Sequence, residues 1–224
     1  MDKNTIQSIF ATHFPFWKGL SEADREYLLS NSAAKVYKKR ETIHDGNECT
    51  GVILINKGEL RVYMLSEEGK EFTLYRLYDS DLCMLSASCV METITFDVLV
   101  DASVDTECVI IPGPTFSYLA DKNPGMKIFS LETTTARFSD AIWSMQQILF
   151  MSIEKRLAIF LYDEITKNGS DTVRLTQEII AKYMGSAREV ISRTLKLYSE
   201  QGIVELIRGG IKILDKRKLR SLAV

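Results

Sequence analysis

LTQEIIAKYMGSAREVISRTLKLYSEQGI, residues 175–203, divides at Gly185 into two short amphipathic patterns. In the first, Thr176 stands where an N-cap belongs, and Ile179, Ile180 and Met184 recur at helical spacing. In the second, which begins at Ser186 or Ala187, the apolar residues Val190, Ile191, Leu195 and Leu197 predict the inward face, and Gly202 supplies the stop. The pair predicts a helix-turn-helix. Its second helix presents Arg188, Glu189, Ser192, Arg193 and Lys196 outward on its first turns. Two arginines and one carboxylate suit base edges: a guanidinium binds guanine O6 and N7 with both arms, and a glutamate accepts from the cytosine amine. The competing reading is a solvated helix laced by an i,i+4 pair such as Glu189 with Arg193.

The stretch beyond the second helix favours DNA. Two short β-rich runs, 203–206 and 211–214, flank Ile207, Arg208, Gly209 and Gly210, the pattern of a hairpin. Such a wing brings backbone N–H groups around Gly209 and the Arg208 guanidinium against phosphate. Charge divides the chain at the same place. Residues 1–152 carry 14 Lys and Arg against 21 Asp and Glu, net −7, whereas residues 153–224 carry 14 against 9, net +5. A basic C-terminal third is the footprint of phosphate contact.

Upstream the pattern changes to β. Val52 to Ile55 is a continuous apolar run, Leu60, Val62 and Met64 alternate, and 72–78 is rich in aromatic and branched residues. Gly46, Gly51, Gly58 and Gly69 punctuate these runs, and further strands are predicted at 93–100 and 107–111. The expectation is a small antiparallel roll with an interior pocket, preceded by helices at 4–13 and 21–30, the latter capped by Ser21. A short helix is predicted at 116–120, and a long one from Pro124 or Met126 to Phe150. Within it Phe138, Ile142, Met145 and Leu149 are spaced 4, 3 and 4 apart, the seam of a two-stranded coiled coil and hence of a homodimer. The alternative for this stripe is packing on the roll of its own subunit.

The class is therefore α+β: an N-terminal roll domain over 1–122, a long dimerisation helix over 123–152 and a winged helix-turn-helix over 153–224. No apolar run of about 18 residues and no signal-like N-terminus is present, so the expectation is a cytoplasmic protein without membrane contact. No nucleophile with base and orienting group, phosphate loop or metal-ligand spacing appears, so neither enzyme, cofactor nor metal is expected. Cys49, Cys83, Cys89 and Cys108 lack any C-x-x-C, and His13 and His44 read as structural.

GSAREVISRTLKLYSEQGIV at 185–204, with its Arg-Glu-x-x-x-Arg pattern, resembles the Crp/Fnr transcription regulators, and IHDGNECTGVILINKGELRVYMLSEEGKEFTLYRLYDSDL at 43–82 resembles their β-roll. FPFWKGLSEAD at 14–24 and SASC at 86–89 resemble a branch of that family distinct from its cyclic-nucleotide receptors. The resemblance implies a cyclic-nucleotide-binding-like roll, a homodimer paired along the long helix, a TGTGA-like palindrome in double-stranded DNA and, for an activator, RNA polymerase as partner. It also implies positions for the cyclic-AMP contacts: Met84 and Leu85 for the ribose, Phe96 and Asp97 for the phosphate, Ala141 and Ile142 for the adenine. None of these side chains suits its contact, so a different small effector is expected near Cys83, Ser86, Ser88, Cys89, Ala141 and Ile142, or a redox event at Cys83 or Cys89. The other class of function left open is a ligand-binding or thiol-redox module that acts through protein partners.

Overall fold

The computed structural model describes residues 2–46, 49–86 and 97–224. The chain packs as two units, one of residues 1–65 with 74–141, the other of 66–73 with 142–224. The division falls inside the long helix, between residues 141 and 142.

The first unit opens with α1 (Lys3–His13), a 3-10 turn at Trp17–Gly19 and α2 (Glu22–Asn31). Asp2 accepts from the Thr5 amide and Ser21 from the Asp24 amide, so both helices are capped by their preceding side chains. The strands β1 (Ala33–Tyr37), β2 (Thr42–His44), β3 (Val52–Lys57), β4 (Leu60–Leu65), β5 (Glu71–Leu77), β6 (Leu82–Cys83), β7 (Leu99–Ala102) and β8 (Thr106–Ile111) come next. They form two four-stranded sheets, ordered β1-β8-β3-β6 and β2-β7-β4-β5. β8 pairs antiparallel with both β1 and β3, which is why Val52 to Ile55 is buried along its whole length. Part of the strand expected at 93–100 lies outside the described residues; β7 occupies its end.

One sheet is covered by the N-terminal helices together with α3 (Gly113–Lys122) and the start of α4 (Pro124–Phe150). The FPFW segment is core: Phe10 stacks on Phe14 at 5.0 Å between ring centroids, and Phe14 on Phe16 at 4.9 Å. At Gly51 φ is +98°, and an added Cβ would lie 2.3 Å from the Ile111 carbonyl oxygen, so only glycine lets β3 begin this close to the end of β8.

The second unit contains α5 (Ile153–Asn168), β9 (Thr172–Val173), α6 (Gln177–Met184), α7 (Arg188–Glu200), β10 (Val204–Ile207), β11 (Gly210–Ile213) and α8 (Lys216–Ala223). Its strands make a small sheet in the order β10-β11-β9. Leu157 and Leu161 of α5, Ile180 and Met184 of α6, Ile191 and Leu195 of α7 and Leu219 of α8 share one core. Among the described residues, no helix is long and apolar enough to cross a membrane.

Candidate nucleic-acid interface

The turn between α6 and α7 is set by local chemistry at both its ends. Thr176 caps α6, its hydroxyl accepting from the Ile179 amide at 3.3 Å. At the other end Gly185 takes the left-handed conformation at φ +57°, and the Ser186 amide donates back to the Ala181 carbonyl at 2.9 Å. Arg156 of α5 donates to the Met184 carbonyl and ties the end of α6 to the domain's first helix. α7 then starts at Arg188 from Ala187, which offers no side-chain acceptor.

The inward face of α7 is Ile191, Thr194, Leu195 and Tyr198. Leu197, expected inward, is 41% exposed, because the spacing that joins Ile191 to Leu195 continues to residue 198. Tyr198 fills that place, and its hydroxyl donates to the Glu154 carbonyl at 2.5 Å, which satisfies a buried polar group. Nothing in the local spacing announces this bond, since its acceptor is 44 residues upstream.

The outward face holds the side chains expected there. Arg188, Glu189, Arg193 and Lys196 are exposed, and Ser192 is half-buried. Lys196 stands 4.0 Å from Glu200. Arg188, Glu189 and Arg193 make no hydrogen bond or ion pair among the described residues, and the i,i+4 pair of Glu189 with Arg193 is not formed.

Beyond α7, β10 and β11 pair antiparallel through Val204↔Ile213 to Ile207↔Gly210, which leaves Arg208 and Gly209 as a two-residue turn. β11 also pairs with β9, so the wing is a three-stranded sheet and not the lone hairpin expected. The N-terminus of α6, the start of α7 and this wing enclose an open cleft of about 420 Å³. Thr176, Arg188 and Gly209 all line it, which brings together three residues that are scattered in sequence. Residues 155–222 match the Crp-like helix-turn-helix domain. Over 95% of this chain and 99% of the other, a Eubacterium rectale protein assigned to the Crp/Fnr family of transcriptional regulators is 41% identical, with a TM-score of 0.89.

The chain belongs to the Crp/Fnr family. It is a transcription regulator with a helix-turn-helix domain and a roll like those that bind cyclic nucleotides. Among curated Crp/Fnr relatives, it is 26% identical to flp of Lacticaseibacillus casei, a transcriptional regulator by its name, over 93% of this chain and 95% of that one. It is 24% identical to the cAMP-activated global transcriptional regulator CRP of Salmonella typhimurium, over 80% and 88% respectively.

In the roll of this Crp/Fnr protein, the cassette expected around an effector is described as far as Ser86; Ser88, Cys89 and Phe96 lie outside the described residues. Met84 is buried in the apolar core. The Ser86 hydroxyl donates to the Gly51 carbonyl at 2.7 Å and approaches that of Cys83 at 3.3 Å, so it serves local backbone. Cys83 and Cys108 are free, buried thiols; burial pushes Cys83 above the ordinary thiol range and Cys108 up to about 12. Cys49 is disulfide-bonded. On α4, Ala141 is half-buried and Ile142 is 42% exposed.

Proposed function

We propose that this regulator reads a near-palindromic DNA site as a homodimer, in the cytoplasm, and that a small effector at the roll sets its DNA affinity. The observation that carries the reading is the stripe of Arg188, Glu189 and Arg193, exposed on the first two turns of α7 without a partner among the described residues. Charges left in water lose little when they meet base edges and gain bidentate bonds there. Docking to a protein would instead favour exposed aromatic or aliphatic anchors on that stripe. Phosphate contacts fall to Lys196, Arg208 and the amides near Gly209. The TGTGA-like half-site rests on membership of the family, as does contact with RNA polymerase if the protein activates.

Dimerisation is supported by α4. Of its 27 residues only Met126 is buried, while Phe138, Ile142, Met145 and Leu149 are 66, 42, 46 and 62% exposed in the single chain. Four apolar side chains in one stripe call for a cover, and a second copy of the same helix gives it in a symmetric pair. Two recognition helices would then meet successive major grooves roughly 34 Å apart.

The CRP relatives are named as cAMP-activated. Here the positions matched to the ribose, phosphate and adenine contacts include buried Met84, acidic Asp97 and apolar Ile142, none of which can hold a phosphodiester or pair with a base. The effector is therefore a different one. A second reading, redox control, is favoured by the disulfide at Cys49; the buried thiol of Cys83 is poorly placed to react.

Fluorescence anisotropy with an inverted TGTGA repeat and a scrambled duplex, at fixed salt, tests the reading. The expected result is at least about a thousandfold preference for the repeat, unchanged by cyclic AMP. Equal affinity for both duplexes removes base reading, and tightening by micromolar cyclic AMP removes the pocket argument. An oxidant-dependent preference, lost in Cys49→Ser, moves control to the thiols.

A further inference from the structure

Two buried donors in the roll unit have no acceptor among the described residues. Tyr75, on β5, is 6% exposed, and its hydroxyl has no hydrogen-bond partner among the described residues. Arg137, on α4, has its Nε in the same condition. The Arg137 guanidinium carbon lies 5.8 Å from the centre of the Tyr75 ring, so the two groups share one locality. The rest of that guanidinium is engaged: Nη1 donates to Asp140 at 3.0 Å and Nη2 to Asp81 at 3.3 Å. A polar atom taken out of water is normally met by a partner, and a pair left unmet beside each other marks a place where something with an acceptor belongs.

The chemistry of that something is set by charge and protonation. Burial holds the Tyr75 phenol far above its ordinary pKa, so it stays an O–H donor. Arg137 Nε–H is likewise a donor. Around them one guanidinium faces two carboxylates, Asp81 and Asp140, which leaves the locality negative before any ligand arrives. An anion would add to an uncompensated charge in a half-buried place, and a cation has no acceptor to meet at these two donors. The Ser86 hydroxyl, which donates to the Gly51 carbonyl, meets neither of these donors.

We propose that Tyr75 Oη and Arg137 Nε form the polar end of a site for a small uncharged molecule that presents a carbonyl-type oxygen. The Tyr75 ring beside it is buried, so the remainder of the molecule is apolar. The site rests on the reading of the roll as an effector domain and gives that effector a chemical class. Because Arg137 belongs to the helix that also carries Phe138 and Ile142, a ligand held there acts on the element that bears the dimer seam.

Three probes of one shape and three charges test it: benzamide, benzoate and benzylammonium. Binding is followed in the full-length protein by the Arg137 Nε–H and Tyr75 Cζ resonances, in wild type, Tyr75→Phe and Arg137→Lys. The expected outcome is that benzamide shifts both resonances, binds at least tenfold more tightly than benzoate or benzylammonium, and loses at least tenfold in Tyr75→Phe. Thermal melts verify that the isosteric Tyr75→Phe folds; should Arg137→Lys not fold, the Tyr75 variant decides alone. Benzoate or benzylammonium binding as tightly as benzamide overturns the proposal, as does unchanged benzamide affinity in Tyr75→Phe. If no probe moves either resonance, the two donors are met by ordered water only, and the proposal falls. DNA affinity measured in the same samples separates the two claims: probe binding at Tyr75 with no change in DNA affinity, in wild type or Tyr75→Phe, leaves the site standing and removes its role as effector control.

Discussion

The arginines of the roll and those of the winged domain differ in what surrounds them. In the roll, Arg61 is 5% exposed and lies 4.3 Å over the Tyr63 ring, Arg76 pairs with Glu59 at 3.3 Å with both side chains largely buried, and Arg137 spans Asp81 and Asp140. In the winged domain, Arg188, Arg193 and Arg208 stand in water with no partner among the described residues. The same side chain is thus a structural member at these roll positions, as at Arg156, and an unused binding group on the recognition helix and wing. A buried guanidinium that loses its carboxylate costs the fold, whereas an exposed one costs the fold almost nothing and the complex a great deal. The apolar stripe on α4 belongs with the second class, being exposed without a partner in the single chain.

Substitutions can break this contrast in order of size. The largest effect is expected from Ile142→Glu with Met145→Glu, which would bury four unpartnered carboxylates in a symmetric seam. The dimer constant should weaken at least about a hundredfold, with monomers in sedimentation and DNA binding lost. An unchanged dimer would assign the stripe to another surface. Next, Arg76→Ala should destabilise the roll by about 3 kcal/mol in urea melts, because a largely buried ion pair loses its cationic member. Arg193→Ala is the mirror case. It should leave stability within about 0.5 kcal/mol and cost about 1 to 3 kcal/mol on the specific duplex, with relaxed preference at one base pair. Equal loss on specific and random duplexes would strip Arg193 of base reading. Lys196→Ala should weaken all duplexes alike and lower the salt slope by about 0.9.

A smaller prediction concerns acid. The Ser21 hydroxyl first, and the Lys122 ammonium second, hold the Asp24 carboxyl below the usual carboxylate range. Its folded pKa is depressed, so its contribution is present above the unfolded value near 4 and is lost as pH falls through the folded one. Asp24→Asn should therefore lower stability at pH 7 and leave it nearly unchanged at pH 2.

How much of the molecule is legible in its sequence depends on the range of the interactions involved. The winged domain is written in local signals: a Thr cap, a glycine at positive φ, a two-residue wing turn and a 3.6-residue apolar period, each confined to a few neighbouring residues. The position where spacing and structure part, Leu197 against Tyr198, is one whose buried hydroxyl finds its acceptor on α5. The roll's strands are legible from their apolar runs, and its polar interior is not. Tyr75 and Arg137 are 62 residues apart and meet only after strand and helix have formed, so no spacing rule joins them. Ser86 illustrates the same limit, because a serine that serves the backbone and one that would serve a ligand read alike in sequence.

Most helices in this protein are sealed at their start by a side chain: Asp2, Ser21, Ser152, Thr176 and Asp215 each accept from a first-turn amide. α7 is begun by Ala187 and carries no such seal. A serine there would add about 1 kcal/mol to the helix. With alanine, no cap side chain accepts from the amides of Arg188 and Glu189, while that of Ile191 is held by the Ala187 carbonyl at 3.2 Å. In hydrogen exchange the recognition helix should thus read as two segments: a first half-turn that trades its hydrogens at nearly the rate of an open peptide, and a remainder as slow as the domain's core.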